Sequence, residues 1–436
     1  QADDFHKASG LWSVKLYKAD IEMDLRTRNM AGFQLLDIQD YPGQGSAFVG
    51  ILDAFMESKG ITTPEEWRQW CSPVVPLLEM KKFCFEDGEK IQAKVKVANY
   101  GGSSLKGKKL KWHLAAENGL FCMDDGTFST KDGEVRKNVG DLMAEDEGVL
   151  NIFSYDEGLV DVGELNGVFH VQKPTKLLLT LNIEGTEARN SYELWVYPKK
   201  ALEKKGVIIA KDLNEEVVKV LEKGGKVLWM PTASSHFVAA DDKALQSDNT
   251  VLQSDNTLSQ ADNATPYTVG GLFQTDYWNY RMFKTICENN KKKVSPGTLG
   301  ILTNPEHPIF KGFPTEMHTN WQWFPVIKES HPLVLDNFAK DYRPIVQVID
   351  NIERNHKLGL VMEWKVGAGK LLVCMSDLEK AAKYPEGKAF YQSVIDYMRS
   401  ADFNPSAEIT VDELKKKLVE KPRQVSLKEL NNISQY

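Results

Sequence analysis

The first 75 residues alternate between helical and strand-like hydrophobic patterns. Apolar residues recur at a helical spacing across 11–26, which predicts an amphipathic helix. Residues 32–39 form a short apolar run typical of a buried parallel strand, and 40–45 are rich in turn-forming residues. A second helix is expected over 47–58. Helix, strand, loop and helix in this order predict that residues 1–75 form one βα portion of a larger sheet.

Residues 76–199 change to the period-two pattern of β-strands. Polar and apolar residues alternate strictly over 91–99 and 192–197 and more loosely over 177–183, with glycine-rich turns between the runs. Short alternating strands separated by such turns predict an antiparallel β-sandwich of immunoglobulin size. Pro198 and the lysine pair that follows it mark the end of this region.

Residues 200–400 return to an alternation of strands and helices. The predicted strands and helices are 207–210, 214–223, 225–230, 358–364, 370–375 and 387–399. Strands separated by helices predict a doubly wound, mostly parallel sheet of flavodoxin type. The chain is therefore expected to be multidomain, with α/β and all-β parts. The charged segment 401–436 is expected to be a docked helix or a loose end.

Two local features of the α/β region carry further expectations. A sequence of the type Gln-Ser-Asp-Asn-Thr recurs with a period of seven within 246–265. The repeat favours a surface loop lengthened by duplication, with an ion site as the less favoured alternative. Gly367-Ala-Gly369 lies between two predicted strands and is typical of a tight β-turn, because a dinucleotide-binding loop would continue into a helix.

Composition is that of an ordinary globular protein and disfavours several classes. Hydrophobic residues make up 42% and charged residues 26% of the chain. The net charge of −7, from 54 basic and 61 acidic residues, disfavours nucleic acid as a partner, whereas neutral sugars are indifferent to it. No apolar run reaches the length of about 18 residues that a membrane-spanning helix needs.

Cysteine and histidine spacing predicts neither a metal site nor a disulfide framework. The five cysteines are Cys71, Cys84, Cys122, Cys287 and Cys374. They are widely spaced without a C-x-x-C pair, so most are expected to be buried as small hydrophobic residues. In an oxidising compartment, one disulfide bond between two of them remains an alternative. The last four histidines are His307, His318, His331 and His356. They lack the i, i+4 spacing of a helical metal site, and no cofactor is expected.

No complete catalytic machinery is predicted within the chain. Glycoside hydrolysis needs two carboxylates that flank the scissile bond. Asp37 and Asp40 lie on a single predicted strand and its loop, so they cannot face each other across a sugar. A closed (β/α)8 barrel, which could carry such a carboxylate pair, needs about 250 residues. Only the first 75 residues of this chain precede the β-sandwich, so they cannot form one. No Gly-x-Ser-x-Gly elbow occurs, and Cys287 lies within a helical pattern. No catalytic residue is therefore assigned.

Two segments combine aromatic rings with amide and imidazole side chains. They are 272–281, which contains Tyr277, Trp278 and Asn279, and 314–325, which contains His318, Asn320, Trp321 and Trp323. Flat rings beside amides are typical of sugar recognition. The same residues suit a seam between domains, where aromatic rings are buried and their polar tips hydrogen-bonded. Both interpretations stay open.

Seven segments together resemble a known enzyme family. They are 15–22, 32–45, 49–53, 190–198, 299–308, 318–323 and 345–351. In these segments the chain resembles the C-terminal region of a bacterial subgroup of glycoside hydrolase family 2. The resemblance implies the end of a TIM barrel, an immunoglobulin-like sandwich and an α/β domain similar in shape to class I glutamine amidotransferases without their catalytic cysteine. It covers nearly the whole chain except the repeat and the tail.

The resemblance also implies where substrate is bound. The family's acid/base and nucleophile glutamates would lie upstream of Gln1, so only the last barrel strand and its loop transfer. That places Asp37, Gln39, Asp40 and Gln44 near the rim of the active-site face, where they bind sugar or fix the loop. The implied partners are a carbohydrate substrate and the upstream barrel of the same polypeptide, with a homo-oligomer among the expected assemblies. The implied location is periplasmic or extracellular.

Three hypotheses follow. The first is that this chain is the C-terminal region of an exo-acting glycosidase and cleaves nothing in isolation. The second, an alternative to the first, is that the chain is a non-catalytic carbohydrate-binding or scaffolding protein. The third is an amidotransferase-like enzyme in 206–400, which would depend on Cys287 and is not expected.

Overall fold

The structure is a computed structural model, and it describes most of the chain. The described residues are 1–35, 38–40, 50–117, 121–124, 145–153, 157–231, 267–271, 285–287, 289–292, 297–351 and 354–420. The chain divides into two compact units. We call residues 1–12, 39–55 and 202–436 the mixed unit, and residues 13–38 and 56–201 the two-sheet unit.

The N-terminal helix α1 spans Ala2–Leu25. Asp3 and Asp4 in its first turn complement the positive end of the helix dipole. The predicted helix over 11–26 is confirmed and extends further towards the N-terminus. Residues up to Trp12 belong to the mixed unit and the remainder to the two-sheet unit.

The segment after α1 differs from the predicted strand and helix. Residues 31–34 are exposed and irregular, and the described part of 32–39 contributes one parallel bridge, between Gln39 and Leu52. Residues 50–58 form turns and isolated bridges instead of a helix. Both predictions are wrong for the described residues. A buried parallel strand needs paired neighbours along its length, and within the described ranges this run pairs at a single residue.

The two-sheet unit contains a short helix and nine strands within its described residues. They are α2 Pro64–Trp67, β1 Val74–Glu79, β2 Cys84–Glu86, β3 Lys90–Asn99, β4 Lys109–Ala116, β5 Phe121–Asp124, β6 Glu145–Asn151, β7 Gly158–Val171, β8 Thr175–Ile183 and β9 Arg189–Tyr197. One sheet has the order β1-β3-β7-β5 and the other β2-β9-β8-β4-β6. Neighbouring strands are antiparallel except β2 and β9, which are parallel.

Alternating side chains of both sheets build the core of this unit. In β3, Ile91, Ala93 and Val95 are buried, whereas Lys90 and Gln92 point to solvent. Residues from both sheets join one continuous hydrophobic cluster. The strands predicted over 91–99, 177–183 and 192–197 are confirmed, because each strand's own pattern already states which face is buried.

A buried polar network holds the C-terminal part of α1 within the two-sheet unit. Glu22, only 3% exposed, accepts hydrogen bonds from the Asn190 amide at 2.8 Å and the Tyr192 hydroxyl at 3.0 Å. Lys18 and Arg26 approach the same carboxylate at 3.0 and 3.1 Å. Burial lowers the pKa of Lys18. A buried carboxylate with this many partners fixes the helix in one position, since an unpaired buried charge is costly.

The mixed unit is built around one sheet of seven strands. Its elements are β10 Ile208–Ala210, α3 Glu215–Glu222, β11 Lys226–Trp229, β12 Ile301–Thr303, α4 Phe324–Lys328, β13 Leu333–Val334, β14 Val346–Val348, β15 Leu358–Val366, β16 Gly369–Cys374, α5 Leu378–Ala381, α6 Pro385–Arg399 and α7 Val411–Val419. The strand order is β10-β11-β16-β15-β14-β12, with β13 also paired to β15. The predicted strands and helices of 207–230 and 358–399 are confirmed.

The direction of these strands corrects one expectation. Only β10–β11 and β11–β16 pair in parallel, and the other described pairs are antiparallel. The sheet is therefore mixed, and the prediction of a mostly parallel sheet is wrong. For one of these pairs the reason is local, because the turn Gly367-Ala368 joins β15 directly to β16 and so requires these two strands to be antiparallel. Gly367 has a φ of +59°, which glycine adopts readily, and the predicted tight turn is confirmed.

The C-terminal segment contains the docked helix α7 in its described part. Thr410 caps the start of α7, and Leu414 and Leu418 are buried. The repeat in 246–265 lies outside the described residues. Within the described ranges, no helix combines the length and the apolar character that crossing a membrane would need.

Candidate binding site

The mixed unit contains a cavity of about 880 Å³. Its wall is formed by the start of α1, by 302–307 at and after β12, by 339–347, by Glu363 of β15 and by 406–408. A cavity of this volume is within the range of small-ligand sites. Its chemistry is set by a few polar side chains.

Glu363 and Tyr397 form a carboxyl–phenol pair at this cavity. The Tyr397 hydroxyl, on α6, donates a hydrogen bond of 2.7 Å to Oε2 of Glu363. Burial raises the pKa of Glu363, while the bond from Tyr397 and the charge of Lys370 oppose that rise. Burial and the adjacent carboxylate raise the pKa of Tyr397, so the phenol remains a donor. The pair can accept hydrogen bonds from a bound polar molecule.

Tyr342 fixes the backbone of Glu363. Its hydroxyl accepts a hydrogen bond from the Glu363 amide and donates one to the Glu363 carbonyl, both at 3.1 Å. Its ring stacks on Trp364 with centroids 4.9 Å apart and planes inclined by 13°. Burial raises the pKa of Tyr342. These contacts hold the carboxyl group in a defined position at the cavity.

Gln347 contributes a buried amide to the cavity wall. It lies between Val346 and Val348 on β14, and side-chain alternation turns it away from the face on which both valines are buried. It is 5% exposed and lines the cavity. Among the described residues its side-chain amide has no hydrogen-bond partner. Because polar groups in a largely buried side chain are normally paired, an amide left open to the cavity can hydrogen-bond to a ligand's polar group.

His307 lies on the same cavity beside Tyr397. Its Nδ1 accepts a hydrogen bond of 3.3 Å from the Ile309 amide, and its ring meets the Tyr397 ring edge-on at 5.2 Å. Burial lowers the pKa of His307, which favours the neutral imidazole. With Nδ1 accepting, the proton lies on Nε2, which is then a donor.

The structure gives four of the predicted sugar-binding residues local structural contacts. Asn320 caps the turn Trp321–Trp323 by accepting from the Gln322 amide at 3.1 Å. Trp323 is fully buried, and its Nε1 donates to Thr315 at 2.8 Å. Trp321 packs edge-on against Trp12 at 5.1 Å, and His318 is buried. None of these four appears among the described residues that line the cavity.

Of the predicted barrel-rim residues, Gln39 and Asp40 are described. Gln39 forms the bridge to Leu52, and Asp40 accepts a hydrogen bond of 3.0 Å from the Gly50 amide. A Cβ at Gly50 would lie 2.2 Å from the Gln39 backbone, so the approach requires glycine. These contacts fit the loop-fixing interpretation, and sugar binding by this pair stays a prediction. Five further predicted residues lie outside the described ranges: Asp37, Gln44, Tyr277, Trp278 and Asn279.

The described cysteines and acidic residues differ in burial and reactivity. Cys71, Cys84, Cys287 and Cys374 are free thiols. Burial raises the pKa of Cys374 to about 12, so it is unreactive. Among the described residues no group of three His, Cys, Asp or Glu side chains is arranged to hold a metal ion.

Sequence reasoning missed Gln347, Glu363, Tyr342 and Tyr397. A weak sign was present for two of them, because Gln347 interrupts the apolar run 345–349 and Glu363 interrupts the run 358–364. A polar residue within an otherwise buried strand indicates either a structural bond or a site. Sequence alone does not distinguish the two.

Two families match parts of the chain. Residues 234–419 match a family described as a domain of unknown function, DUF8487, and 146–198 match another domain of unknown function, DUF8488. The first range contains the cavity-lining residues Gln347 and Glu363, and Tyr397, which donates a hydrogen bond to Glu363. No curated protein matches the chain.

Solved structures give weak similarities. A conjugative transposon lipoprotein from Bacteroides eggerthii is 10% identical, with a TM-score of 0.19, over 28% of this chain and 96% of that one. The cohesin module of a family 33 glycoside hydrolase from Clostridium perfringens is 11% identical, with a TM-score of 0.21, over 29% and 99%. A sporulation control protein from Bacillus subtilis is 12% identical, with a TM-score of 0.18, over 30% and 51%. At these TM-scores none of them assigns a fold or a function.

Proposed function

We propose that this chain is the C-terminal region of a glycoside hydrolase of family 2 type, and that its mixed unit binds carbohydrate without cleaving it. The observation that carries the binding proposal is Gln347, a side chain only 5% exposed that lines a cavity of about 880 Å³ and whose amide has no hydrogen-bond partner among the described residues. The hydrolytic carboxylates are expected in the barrel that the sequence resemblance implies.

The cavity offers the hydrogen-bonding groups that a sugar requires. The Gln347 amide can donate and accept, the Glu363 carboxylate can accept, and the Nε2 of His307 can donate. Sugar hydroxyls act as donors and acceptors at once, so they can satisfy all three groups. Tyr342 and Tyr397 hold the carboxyl group still, which reduces the entropy lost on binding.

One contact and the arrangement of the sheets support the family proposal. Segments 15–22 and 190–198 both carry the resemblance, and the Glu22–Asn190 hydrogen bond of 2.8 Å joins them. The two sheets around one core support an immunoglobulin-like sandwich. The parallel strands β10, β11 and β16 support a flavodoxin-like relationship for the mixed unit, modified by its antiparallel strands.

Scaffolding is a second candidate function, and exposed apolar side chains at 23–38 and 56 of the two-sheet unit favour it. Five large apolar side chains there are exposed by 36–58%: Met23, Met30, Phe33, Ile38 and Met56. Exposed apolar groups of this kind are typical of protein-protein contacts. The proposed partner is the upstream barrel of the same polypeptide, in a periplasmic or extracellular enzyme. The intact mass of the native product tests this proposal: a product no longer than this chain would overturn it.

Saccharide binding is tested by titration with neutral oligosaccharides, followed by calorimetry and by tryptophan fluorescence, since Trp364 stacks on the cavity residue Tyr342. Gln347→Met keeps the volume but removes the amide. We expect its affinity to fall by about tenfold, because one hydrogen bond in a desolvated site is worth about 1.4 kcal/mol. The folded state should change little in stability, because the amide has no hydrogen-bond partner among the described residues to lose.

The matched control is Gln92→Met, at an exposed position of β3 in the other unit. It should bind as the parent does. Absence of binding to any oligosaccharide at millimolar concentration would refute carbohydrate binding. Turnover of an aryl glycoside by this chain, abolished by Glu363→Gln, would refute the non-catalytic part of the proposal.

A further inference from the structure

Among the described residues, the side chains that line the cavity of the mixed unit carry an excess of negative charge. Four carboxyl side chains line it, from Asp4, Asp341, Glu363 and Glu408, against one guanidinium, from Arg343. The Glu408 carboxylate is paired with Lys365. The remaining three carboxylates outnumber the single cationic side chain of the wall, and a concave site concentrates their field.

Glu363 is the carboxylate best prepared for a cation. Its Oε2 is held by Tyr397, whereas within the described residues its Oε1 has no hydrogen-bond partner and no salt bridge reaches the group. The nearby Lys370 directs its ammonium group to the Phe403 carbonyl at 2.8 Å and to Asn404 at 3.1 Å. The bond to Oε2 therefore fixes the carboxylate in position, and Oε1 remains available to a ligand.

Gln347 supplies the independent sign of a ligand. It is 5% exposed, it lines the same cavity, and its amide is unpaired within the described part of the chain. A ligand that satisfies both Gln347 and Glu363 carries neutral hydroxyl groups beside a positive group. A sugar with a primary amine has both.

We infer that the cavity selects an amino sugar with a free ammonium group, which Glu363 binds through its unoccupied oxygen while Gln347 binds a neighbouring hydroxyl. The inference rests on the proposed carbohydrate-binding function and names the sugar class. An ammonium bound to a carboxylate forms charge-assisted hydrogen bonds, which are about twice as strong as neutral ones. An N-acetylated sugar keeps the ring and hydroxyls but loses this charge.

The affinity for the amino sugar should depend on pH in a defined direction. Binding needs an ionised Glu363, so affinity falls as the pH drops through its pKa, which burial raises. It falls again at high pH, where the sugar ammonium loses its proton. The groups that face Glu363 from neighbouring elements or across the cavity are Tyr397, Lys370, Tyr342, His307, Asp341, Arg343, Asp4 and Glu408. Glu363→Gln separates its contribution from theirs.

The experiment compares three oligosaccharides of equal length, built from glucosamine, N-acetylglucosamine and glucose, by calorimetry on the full chain. We expect the glucosamine oligomer to bind about tenfold more tightly than the other two, with the gap narrowing at acidic pH. In the Glu363→Gln variant, the ratio of the affinity for the glucosamine oligomer to the affinity for the other two should fall towards one. The control Glu147→Gln, an exposed position in the two-sheet unit, should keep the parental preference.

The outcomes separate the two proposals. Equal affinity for all three oligomers would overturn the amino-sugar inference and leave carbohydrate binding intact. A preference that Glu363→Gln does not change would also overturn it. Failure of every oligomer to bind would overturn the proposed function itself. Should Glu363→Gln not fold, the pH profile of the parent decides, since a glucosamine preference that does not weaken at acidic pH contradicts a carboxylate receptor.

Discussion

Glu193 gives the sharpest test of how α1 is held in the two-sheet unit. Its carboxylate, 21% exposed, pairs with Lys15 of α1 and lies 2.8 Å from Lys176 of β8. Burial opposes ionisation, yet the two lysines together lower the pKa of Glu193 from 4.5 to about 2. The proposed change is Glu193→Gln, which keeps the shape and removes the charge.

The magnitude follows from that pKa. Since a tenfold change in proton affinity corresponds to about 1.4 kcal/mol, the ionised pair stabilises the folded state by about 3 kcal/mol. The folded pKa is the lower one, so between pH 4.5 and about 2 the unfolded chain binds more protons. The stabilisation is therefore complete above pH 4.5 and disappears as the pH falls to about 2. At neutral pH the Gln variant should be less stable by about 3 kcal/mol, and the two proteins should converge in acid.

The assay is urea unfolding across this pH range, with hydrogen exchange of the β9 amides used to report on the two-sheet unit alone. Glu184→Gln is the control, because that carboxylate pairs with Lys111 in full contact with solvent and should contribute little. A gap between parent and Glu193→Gln that stays constant from neutral pH to pH 2 would show that the charge of Glu193 is not what stabilises the contact.

Two further predictions concern packing and reactivity. Trp323→Ala should lower the free energy of unfolding by about 3–5 kcal/mol in urea titrations, and half-buried Trp321→Ala by clearly less; equal losses would contradict the assigned core. Cys374 should resist alkylation in the folded protein, because burial raises its pKa to about 12, whereas half-buried Cys71 and Cys287 should be labelled first. Peptide mass mapping checks this, and equal labelling rates would contradict it.

The elements that were predicted most accurately from the sequence are those in which the alternation of polar and apolar residues indicates the buried face. The alternation over 91–99 marks the buried face of β3 without reference to any partner. The apolar run 32–39, by contrast, does not show from its own residues whether it is buried. An apolar run is a buried strand only if neighbours pair with it, and the described residues supply one bridge at Gln39. The same local pattern therefore predicted a strand that does not form.

Strand direction was predicted poorly for a related reason. A doubly wound sheet was inferred from strands separated by helices, but β12, β13 and β14 have only three, two and three residues. Strands of two or three residues are too short to show a periodic pattern of polar and apolar positions. Their antiparallel pairing depends on distant contacts, whereas the tight turn at Gly367 could be predicted because two strong strands flank it.

The candidate site was beyond the reach of motif spacing. Gln347, Glu363 and Tyr397 lie on three different elements, and only the fold brings Gln347 and Glu363 to one cavity and Tyr397 within hydrogen-bond distance of Glu363. The composition of the aromatic segment 314–325 suits sugar binding, yet its Trp323 is fully buried. Composition reports which chemistry a segment can perform, and exposure decides whether a ligand can reach it.

The hydroxyl of Tyr342 has a consequence for association between molecules. At Glu363, strand β15 extends beyond its pairing with β14, and the phenol occupies both backbone groups that a neighbouring strand would use. Open strand edges recruit extended segments of other chains. The Tyr342 hydroxyl blocks such recruitment at Glu363, and the bridge between Lys365 and Glu408 covers the next edge residue, so this stretch of strand can border an open cavity without becoming a template for aggregation.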